Sequence, residues 1–414
     1  IHMKSAKVLF LIVLITGFSV LSFAQNAVKL SEESWTLPTY KVEPWEKAPI
    51  FYTGESFQGA RKVIYPYALN DVISNEKVEQ AWKTLILENE YIKLCITPDI
   101  GGKIYYATDK SNDYNFIYKN NEVKPSNIGM IGAWVSGGIE WCVLHHHRAS
   151  TMLPMDYSLA ENEDGSKTIF IGETEPRHRM RWTVGVTVRP GKSYFEAELS
   201  IYNPTPYTNT FLYWANVATH TNENYQTIFP PSVDFATFHA KNDFTRWPIS
   251  TEEYRGQDFT AGVDISWWKN VKQSASFFAH DLKEDFMGGY DHGTNSGTVH
   301  IGDHNIVKGA KLWEWGSGPR GQATEGRLTE TSGPYVEIMV GAFSDNQPDY
   351  TWIRPYETKT WKQYWYPVKD IEGFKNANLN AAVNLEQRED NKVFLGYHST
   401  QKIDKARIVL KNGE

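Results

Sequence analysis

The chain has 414 residues, with 49 acidic against 42 basic side chains and a formal net charge of −7 at pH 7. No basic block is present, which argues against nucleic acid as a partner, because nucleic acid binding requires clustered Lys and Arg. There are only two cysteines, Cys95 and Cys142, so disulfides do not build the fold. The 15 Trp, 23 Tyr and 20 Phe, some of them clustered beside polar residues, favour surfaces on which sugar rings stack.

Residues 1–24 are predicted to form a secretory signal peptide. Lys4 and Lys7 provide a basic start, residues 8–15 form an apolar run, and residues 22–24 place Ser and Ala before a cleavage site. The apolar run is too short for a membrane span. We therefore expect a secreted or periplasmic protein with no stable membrane insertion.

Short strands bounded by turn residues dominate the chain after the signal peptide. The runs that alternate or are continuously apolar lie at residues 84–89, 91–97, 168–172, 181–188, 194–202, 276–279, 335–340 and 359–366. Residues 76–82 are expected to form at most one or two helical turns. Many short strands without long helical periodicity predict an all-β antiparallel sandwich over residues 25–370.

The segment 137–148 concentrates chemically active side chains. A glycine pair opens it, which lets the backbone bend or approach a ligand closely. Glu140 then offers a carboxylate, and His145, His146 and Arg148 offer groups that bind sugar hydroxyls or a uronate carboxylate. The alternative is a bulged strand followed by a solvated histidine run.

A metal site is a second interpretation of the histidine run. Adjacent residues in a strand point to opposite faces, so only His145 and His147 share a side there. Zinc requires three or four well-placed ligands, and the other candidate ligands are scattered along the chain. We therefore predict no metal and no other cofactor, and the alternative is a calcium ion in an Asp/Asn loop.

Further substrate-binding candidates are polar or aromatic residues, several of them near glycines. They are Trp214, Asn216, His220, Asp291, His292, Trp313, Trp315 and Gln322. On a strand, Trp313 and Trp315 point to one side, which suits either core packing or a sugar platform.

Residues 371–414 differ in character from the preceding chain. Residues 376–380 indicate a linker, and residues 393–397 and 406–410 are predicted to be two strands. Two strands alone are marginally stable, so we expect the start of a second, incomplete β domain.

Several motifs together resemble the aldose-1-epimerase (galactose mutarotase) superfamily. The motifs are Pro-Asp-Ile-Gly-Gly-Lys-Ile at 98–104, Gly-Gly-Ile-Glu at 137–140, the segment 203–216, Tyr-Val-Glu at 335–337 and the segment 347–358. Over roughly residues 33–370 the chain more closely resembles a bacterial family of unknown function that carries this fold, often ahead of tetratricopeptide repeats. The resemblance implies a β-supersandwich of the galactose mutarotase type.

The resemblance also implies a role for Glu337. In the epimerases a Glu on a late strand, followed by a Pro-Asp turn, removes the proton from the anomeric hydroxyl, and Glu337 matches its place. The epimerase acid is a histidine just before the segment that corresponds to residues 210–216, where this chain has none. His220 lies downstream as a substitute, and Glu140 is a second candidate for the missing acid.

These residues favour a carbohydrate-active enzyme, with glycoside hydrolysis as the leading hypothesis. Glu140 and Glu337 are the predicted catalytic pair, since hydrolysis of a glycosidic bond uses two carboxylates on one sugar site. The expected substrate is an oligosaccharide or polysaccharide. The alternatives are an aldose 1-epimerase-like isomerase and a non-catalytic glycan-binding protein.

Overall fold

The computed structural model describes residues 27–44, 50–51, 64–65, 70–127, 132–144, 147–176, 178–389 and 392–409. The predicted signal peptide at residues 1–24 lies outside the described residues, and so do His145 and His146. Within the described ranges, no helix combines the length and the apolar character needed to cross a membrane.

The larger of two antiparallel sheets, sheet A, has 13 strands. Its strands are β1 (Lys29–Val42), β4 (Ile73–Glu88), β5 (Ile92–Thr97), β6 (Lys103–Asp109), β7 (Tyr114–Ile117), β10 (Ile139–Leu144), β15 (Asn209–His220), β17 (Phe235–Thr237), β18 (Phe244–Arg246), β23 (Ala275–Ala279), β26 (Gly309–Glu314), β27 (Tyr335–Ala342) and β28 (Thr351–Ile353). They are ordered β1-β4-β5-β6-β10-β15-β27-β26-β23-β17-β18, with β7 on β6 and β28 on β15.

The second large sheet, sheet B, has eight strands. They are β11 (Asp156–Glu161), β12 (Lys167–Thr174), β13 (Arg181–Val188), β14 (Phe195–Tyr202), β16 (Tyr225–Ile228), β24 (Phe286–Asp291), β25 (Ser296–Ile301) and β29 (Thr358–Lys369). Their order is β11-β12-β13-β14-β29-β25-β24-β16.

Smaller elements complete the described structure. Four two-stranded sheets pair β2 (Ile50–Phe51) with β3 (Ile64–Tyr65), β8 (Ser126–Asn127) with β9 (Ala133–Trp134), β19 (Ile249–Ser250) with β22 (Val263–Asp264), and β20 (Glu253–Tyr254) with β21 (Gln257–Asp258). A three-stranded sheet contains β30 (Asn376–Ala377), β31 (Ala381–Gln387) and β32 (Val393–Ser399). The helices are α1 (Pro319–Glu325) and the 3₁₀ turns His239–Lys241 and Trp268–Asn270.

The main core lies between sheets A and B. The odd-numbered residues of β10, Ile139, Trp141 and Val143, point into it because side chains alternate along a strand. The ring of Trp141 lies 6.2 Å from that of Trp365 in sheet B, and Trp365 stacks on Phe195 at 5.3 Å. Both indoles are fully buried, so truncating either to Ala would cost about 3–5 kcal/mol. The fold is the all-β antiparallel supersandwich that the sequence predicts.

The helical turn expected at residues 76–82 is wrong. These residues lie inside β4 and pair with β1, for example Lys77 with Tyr40 and Trp82 with Trp35. Val78, Gln80 and Trp82 are the less exposed positions, which is the two-residue period of a strand. Pairing along β1 outweighs the weak local helical preference.

The three-stranded sheet packs against the outer face of sheet B. Ile371 and Phe374 join a buried cluster with Tyr290 and Tyr366, and the Asn384 amide donates to the Ile371 carbonyl at 3.0 Å. Its strand β30 (Asn376–Ala377) lies within the residues 376–380 that were expected to form a linker, because these residues pair with β31. No strand forms at residues 406–409, whose side chains are exposed.

Candidate functional site

Four polar side chains lie on one face of sheet A, opposite the main core. Glu140 on β10 is paired with Asn216 on β15, and Glu337 on β27 is paired both with Ala218 on β15 and with Trp313 on β26. Lys311 lies two residues before Trp313 and shares its side of β26. We call Glu140, Asn216, Lys311 and Glu337 the polar face. Strand spacing and rise place the Cα atoms of Glu140 and Glu337 about 12 Å apart on the same face.

Glu140 is buried and accepts hydrogen bonds through one oxygen. Its Oε2 accepts from the Trp134 Nε1–H at 2.7 Å and lies 2.8 Å from His147 Nδ1, while its Oε1 is buried without a partner. Burial alone would raise the pKa of Glu140, but His147 and the Trp134 donor outweigh it and lower that pKa well below its usual range. Glu140 is therefore an ionised acceptor.

Glu337 and Lys311 form a buried pair of opposite charge. Burial raises the pKa of Glu337, and Lys311, His147 and a hydrogen bond with Asn216 reduce that rise. Burial lowers the pKa of Lys311 to about 8, and Glu337 opposes this change. Both groups are thus shifted towards neutral pH, where a base and an acid exchange protons most effectively.

Neighbouring groups hold the Lys311 ammonium in place. Its Nζ donates to Gln347 Oε1 at 2.7 Å and lies 3.5 Å from His239 Nε2. His239 Nδ1 lies 2.9 Å from the Ser276 hydroxyl, and burial together with Lys311 lowers the pKa of His239 to about 3. His239 is therefore a neutral imidazole in this cluster.

A second buried lysine, Lys103, lies beside the glycine pair 137–138. Lys103 Nζ donates to the Val135 carbonyl at 2.9 Å, and a Cβ at Gly138 would lie 3.1 Å from the Lys103 side chain. Burial lowers the pKa of Lys103 to about 8, against the opposing charges of Glu140 and Glu337. Gly138 has a φ of +65°, so glycine is required there by conformation as well as by space.

Two partly exposed indoles border the polar face. Trp313 lies next to Glu337 across β26 and β27, with Lys311 Nζ 5.6 Å from its ring centre. Trp315 meets Trp313 edge-on at 5.5 Å and donates from Nε1 to the Tyr335 hydroxyl at 3.1 Å. Partly exposed indoles beside buried ionisable groups suit the binding of a sugar ring.

Comparison with known proteins gives this chain its family. Residues 60–368 match the family described as a domain of unknown function, DUF5107. The chain belongs to the DUF5107 family. This matched range contains every residue of the polar face.

Solved structures similar to this DUF5107 chain share its fold. A protein from Parabacteroides distasonis that contains a TPR domain aligns with a TM-score of 0.71 and 23% identity, over 89% of this chain and 60% of that one. This chain therefore spans less than two thirds of that protein. A candidate aldose 1-epimerase from Klebsiella pneumoniae aligns with a TM-score of 0.51 and 9% identity, over 82% of this chain and 92% of that one. The DUF5107 chain thus has the galactose mutarotase-like fold.

Trp214, expected to bind substrate, is instead buried on the side of sheet A that carries Asn216. Its side chain is fully buried, and it packs against Gly341 and Gly309 on the neighbouring strands. A Cβ at either glycine would come within 2.5 Å of the indole. Trp214 therefore supports the sheet surface and has no exposed ring for a sugar, whereas Asn216 on the same strand contacts Glu337.

Arg148 also differs from its expected role. Its Nε donates to the Trp141 carbonyl at 2.8 Å, its Nη2 to the Gly101 carbonyl at 2.6 Å and its Nη1 to the Ser150 hydroxyl at 2.9 Å. The guanidinium is buried and lies 4.7 Å from the Trp182 ring centre. Its donors are already used by the protein, so Arg148 ties the loop after β10 to the core.

His220 does not replace the missing epimerase histidine. It lies four residues beyond Asn216 on β15, accepts from the Lys119 backbone N–H at 3.3 Å and packs on the Tyr118 ring at 4.2 Å. Burial lowers the pKa of His220 to about 4, so it is neutral at physiological pH. A neutral ring that accepts a backbone N–H has no proton to donate from that nitrogen.

The remaining predicted residues lie on other elements. Asp291, at the end of β24 in sheet B, accepts from Asn222 at 2.7 Å, and His292 stacks on Trp267 at 5.0 Å. Gln322 lies on α1 and donates to the Ser317 carbonyl at 3.1 Å. These contacts join other segments of the chain and do not involve the four residues of the polar face.

The sequence analysis did not identify five residues that belong to the polar face or lie beside it: Lys103, Trp134, His239, Lys311 and Gln347. A signal was present for two of them. Lys103 directly follows the glycine pair 101–102, and Lys311 has the same strand parity as Trp313. Two groups in the described part of the chain have donor atoms close enough to hold a metal, namely Glu140, Cys142 and His147, and Asp285, Asp303 and His304.

Proposed function

We propose that this DUF5107 protein is a carbohydrate-active enzyme that transfers protons at the anomeric centre of a sugar, as an aldose 1-epimerase does. The observation that carries the proposal is the buried Glu337–Lys311 pair beside Trp313. The proposal includes an exported location, which residues 1–24 favour through their basic start and apolar run.

The reaction assigns one proton transfer to each member of the pair. Glu337 takes the proton of the anomeric hydroxyl, the C1–O1 bond becomes a carbonyl, and the bond from C1 to the ring oxygen breaks. Lys311 donates its proton to that ring oxygen. Rotation about the C1–C2 bond, followed by the reverse transfers, closes the ring as the other anomer, so no atom is gained or lost.

The surroundings of the pair support these roles. Asn216 hydrogen-bonds Glu337 and orients its carboxylate, and Gln347 does the same for the Lys311 ammonium at 2.7 Å. General acid–base groups with pKa values close to the working pH contribute roughly 10²- to 10⁴-fold each to the rate. Trp313 provides a ring face on which the sugar stacks.

Glycoside hydrolysis is the second candidate, with roles different from those expected at first. Glu140 accepts from Trp134 and is paired with His147, so it suits a base or nucleophile and not a proton donor. Glu337, with its raised pKa, would then be the acid. Two carboxyl groups with pKa values shifted in opposite directions are typical of glycosidases, which is the observation that favours this alternative.

The two candidates are separated by offering the protein free sugars and glycosides in parallel. Anomer exchange in a panel of free hexoses, pentoses and uronic acids is followed by polarimetry and by exchange NMR. Hydrolysis is followed with aryl glycosides and oligosaccharides of the same sugars. Faster anomer exchange without bond cleavage supports the proposal, and cleavage without exchange supports the hydrolase.

A further inference from the structure

Three potential metal ligands of different chemistry lie close together beside strand β10. Glu140 and Cys142 are two residues apart and share one face of the strand. The backbone turns at Leu144, with a φ of +73°, and His147 lies back over the same face. His147 Nδ1 is 2.8 Å from Glu140 Oε2 and 3.9 Å from Cys142 Sγ.

An unsatisfied buried oxygen points to a missing partner at this place. Glu140 is 2% exposed, and its Oε1 has no hydrogen bond. Leaving a buried carboxylate oxygen without a donor costs about 1–3 kcal/mol or more, and a cation bound beside Glu140 would offset that cost. The nearby Cys142 thiol is fully buried and lies within 4.8 Å of donor atoms of the other two residues.

We propose that Glu140, Cys142 and His147 bind one zinc ion. Thiolate, imidazole and carboxylate are the three ligand types that zinc takes in proteins. Tetrahedral zinc places a sulfur and a nitrogen ligand about 3.6 Å apart, and a nitrogen and an oxygen ligand about 3.3 Å apart. The observed 3.9 and 2.8 Å differ from these values by about 0.3 and about 0.5 Å, shifts that side-chain rotation supplies.

The charges around the three ligands are compatible with a divalent ion. A thiolate and a carboxylate together neutralise Zn²⁺. The two buried lysines in the neighbourhood are directed to other acceptors, Lys103 to the Val135 carbonyl and Lys311 to Gln347. Binding releases the Cys142 proton, because only the thiolate ligates zinc.

Three protein ligands leave one zinc position open. Catalytic zinc sites have three protein ligands and one open position, whereas structural sites have four protein ligands. Because Glu140 belongs to the polar face, water or a sugar hydroxyl would be the fourth ligand. The metal site does not depend on the proposed sugar chemistry, and the two are measured separately.

The other group of potential ligands does not carry the same inference. Asp285 and Asp303 are exposed, and Asp285 Oδ1 is already bonded to His304 Nδ1 at 2.7 Å and to the His304 backbone N–H at 2.9 Å. Exposed acidic groups of this kind are ordinary surface structure.

Cobalt substitution tests the site without any assay of activity. The full chain is stripped with a chelator and titrated with Co²⁺, whose thiolate complexes absorb in the near ultraviolet, and then with Zn²⁺ as a competitor. We expect the thiolate band to saturate at one cobalt per chain and zinc to abolish it. Calorimetry should give the same stoichiometry for zinc, with proton release.

Cysteine variants locate the ligand. Cys142→Ser should lose the band and bind zinc at least tenfold more weakly, while Cys95→Ser should keep both. Cys95 is an apt control because it is buried to the same degree in sheet A but belongs to neither group of potential metal ligands in the described structure. His147→Asn changes a partly exposed side chain and is the second variant if Cys142→Ser folds poorly; it too should weaken zinc binding at least tenfold.

Three results would overturn the inference: no thiolate band in the wild type, an unchanged band in Cys142→Ser, or unchanged zinc affinity in folded His147→Asn. Circular dichroism of each variant confirms that the comparison is made between folded proteins.

Discussion

Glu140 and Glu337 flank strand β15 on the same face of sheet A, yet their pKa values are shifted in opposite directions. Glu140 is paired with His147 and accepts from Trp134, which keeps it ionised. Burial raises the pKa of Glu337, and Lys311 and Asn216 only reduce that rise. Two side chains of the same residue type thus have different chemistry, because their surroundings in the fold differ.

The pH dependence of catalysis should report the Glu337–Lys311 pair. Turnover should rise as Glu337 ionises and fall above about pH 8 as Lys311 loses its proton. Because the two groups interact, the two limbs belong to the pair as a whole. In Lys311→Met the basic limb should disappear, and the acidic limb should move to higher pH because Glu337 loses the cation that lowers its pKa. A profile in Lys311→Met that keeps the wild-type shape would contradict this assignment.

Trp313→Ala should weaken sugar binding about tenfold, which corresponds to about 1.4 kcal/mol, because the stacking surface beside Glu337 is lost. Trp352→Ala is the matched control, since Trp352 is 67% exposed on β28 and is paired with Thr210, far along β15 from Asn216. Isothermal calorimetry or the KM for a sugar measures the change. Equal losses in both variants would show that the effect is not specific to the polar face.

Gly341→Ala should destabilise the protein by about 1–3 kcal/mol, because the new Cβ would lie 2.5 Å from the buried Trp214 indole. Gly326→Ala provides the control, since Gly326 has a φ of −59° and only ordinary contacts. Thermal unfolding compares the two variants. A Gly341→Ala protein as stable as the wild type would mean that Trp214 is free to move.

Stability should fall as the pH rises through the neutral range because of a second carboxyl pair. Burial raises the pKa of Glu325 to about 7, and burial together with Glu325 raises that of Glu314 well above its usual value. Groups protonated in the folded state but ionised in the unfolded state lower stability as pH increases from about 4.5 to about 7. Relative to the wild type, Glu314→Gln should raise the melting temperature more at pH 8 than at pH 5. A variant with the same pH dependence of the melting temperature as the wild type would refute this.

Much of the fold could be predicted from the sequence because alternation along single strands is a local signal. The apolar positions 139, 141 and 143 face the core, and the same parity places Glu140 on the other side. The likeness of the segment around Glu337 to the epimerases correctly indicated the fold of the chain. Local signals sufficed for these elements.

The composition of the site was harder to predict because it depends on pairing between distant strands. Lys311 and Glu337 become neighbours only through the register of β26 and β27, and a strand lysine is ordinarily expected to be exposed. Arg148 was expected to read a substrate carboxylate, but nothing in its sequence context reveals that the backbone carbonyls of Trp141 and Gly101 use its donors. Burial and partners of this kind are tertiary properties.

The most direct test of the proposed chemistry is the rate of anomer exchange in wild-type protein and in Glu337→Gln, measured by polarimetry on the best free sugar. Glu161→Gln is the control, because Glu161 has a 73% exposed side chain on the edge strand β11. The account predicts that Glu337→Gln lowers the rate by about 10²- to 10⁴-fold while Glu161→Gln leaves it unchanged. Exchange at the wild-type rate in a folded Glu337→Gln protein would contradict it.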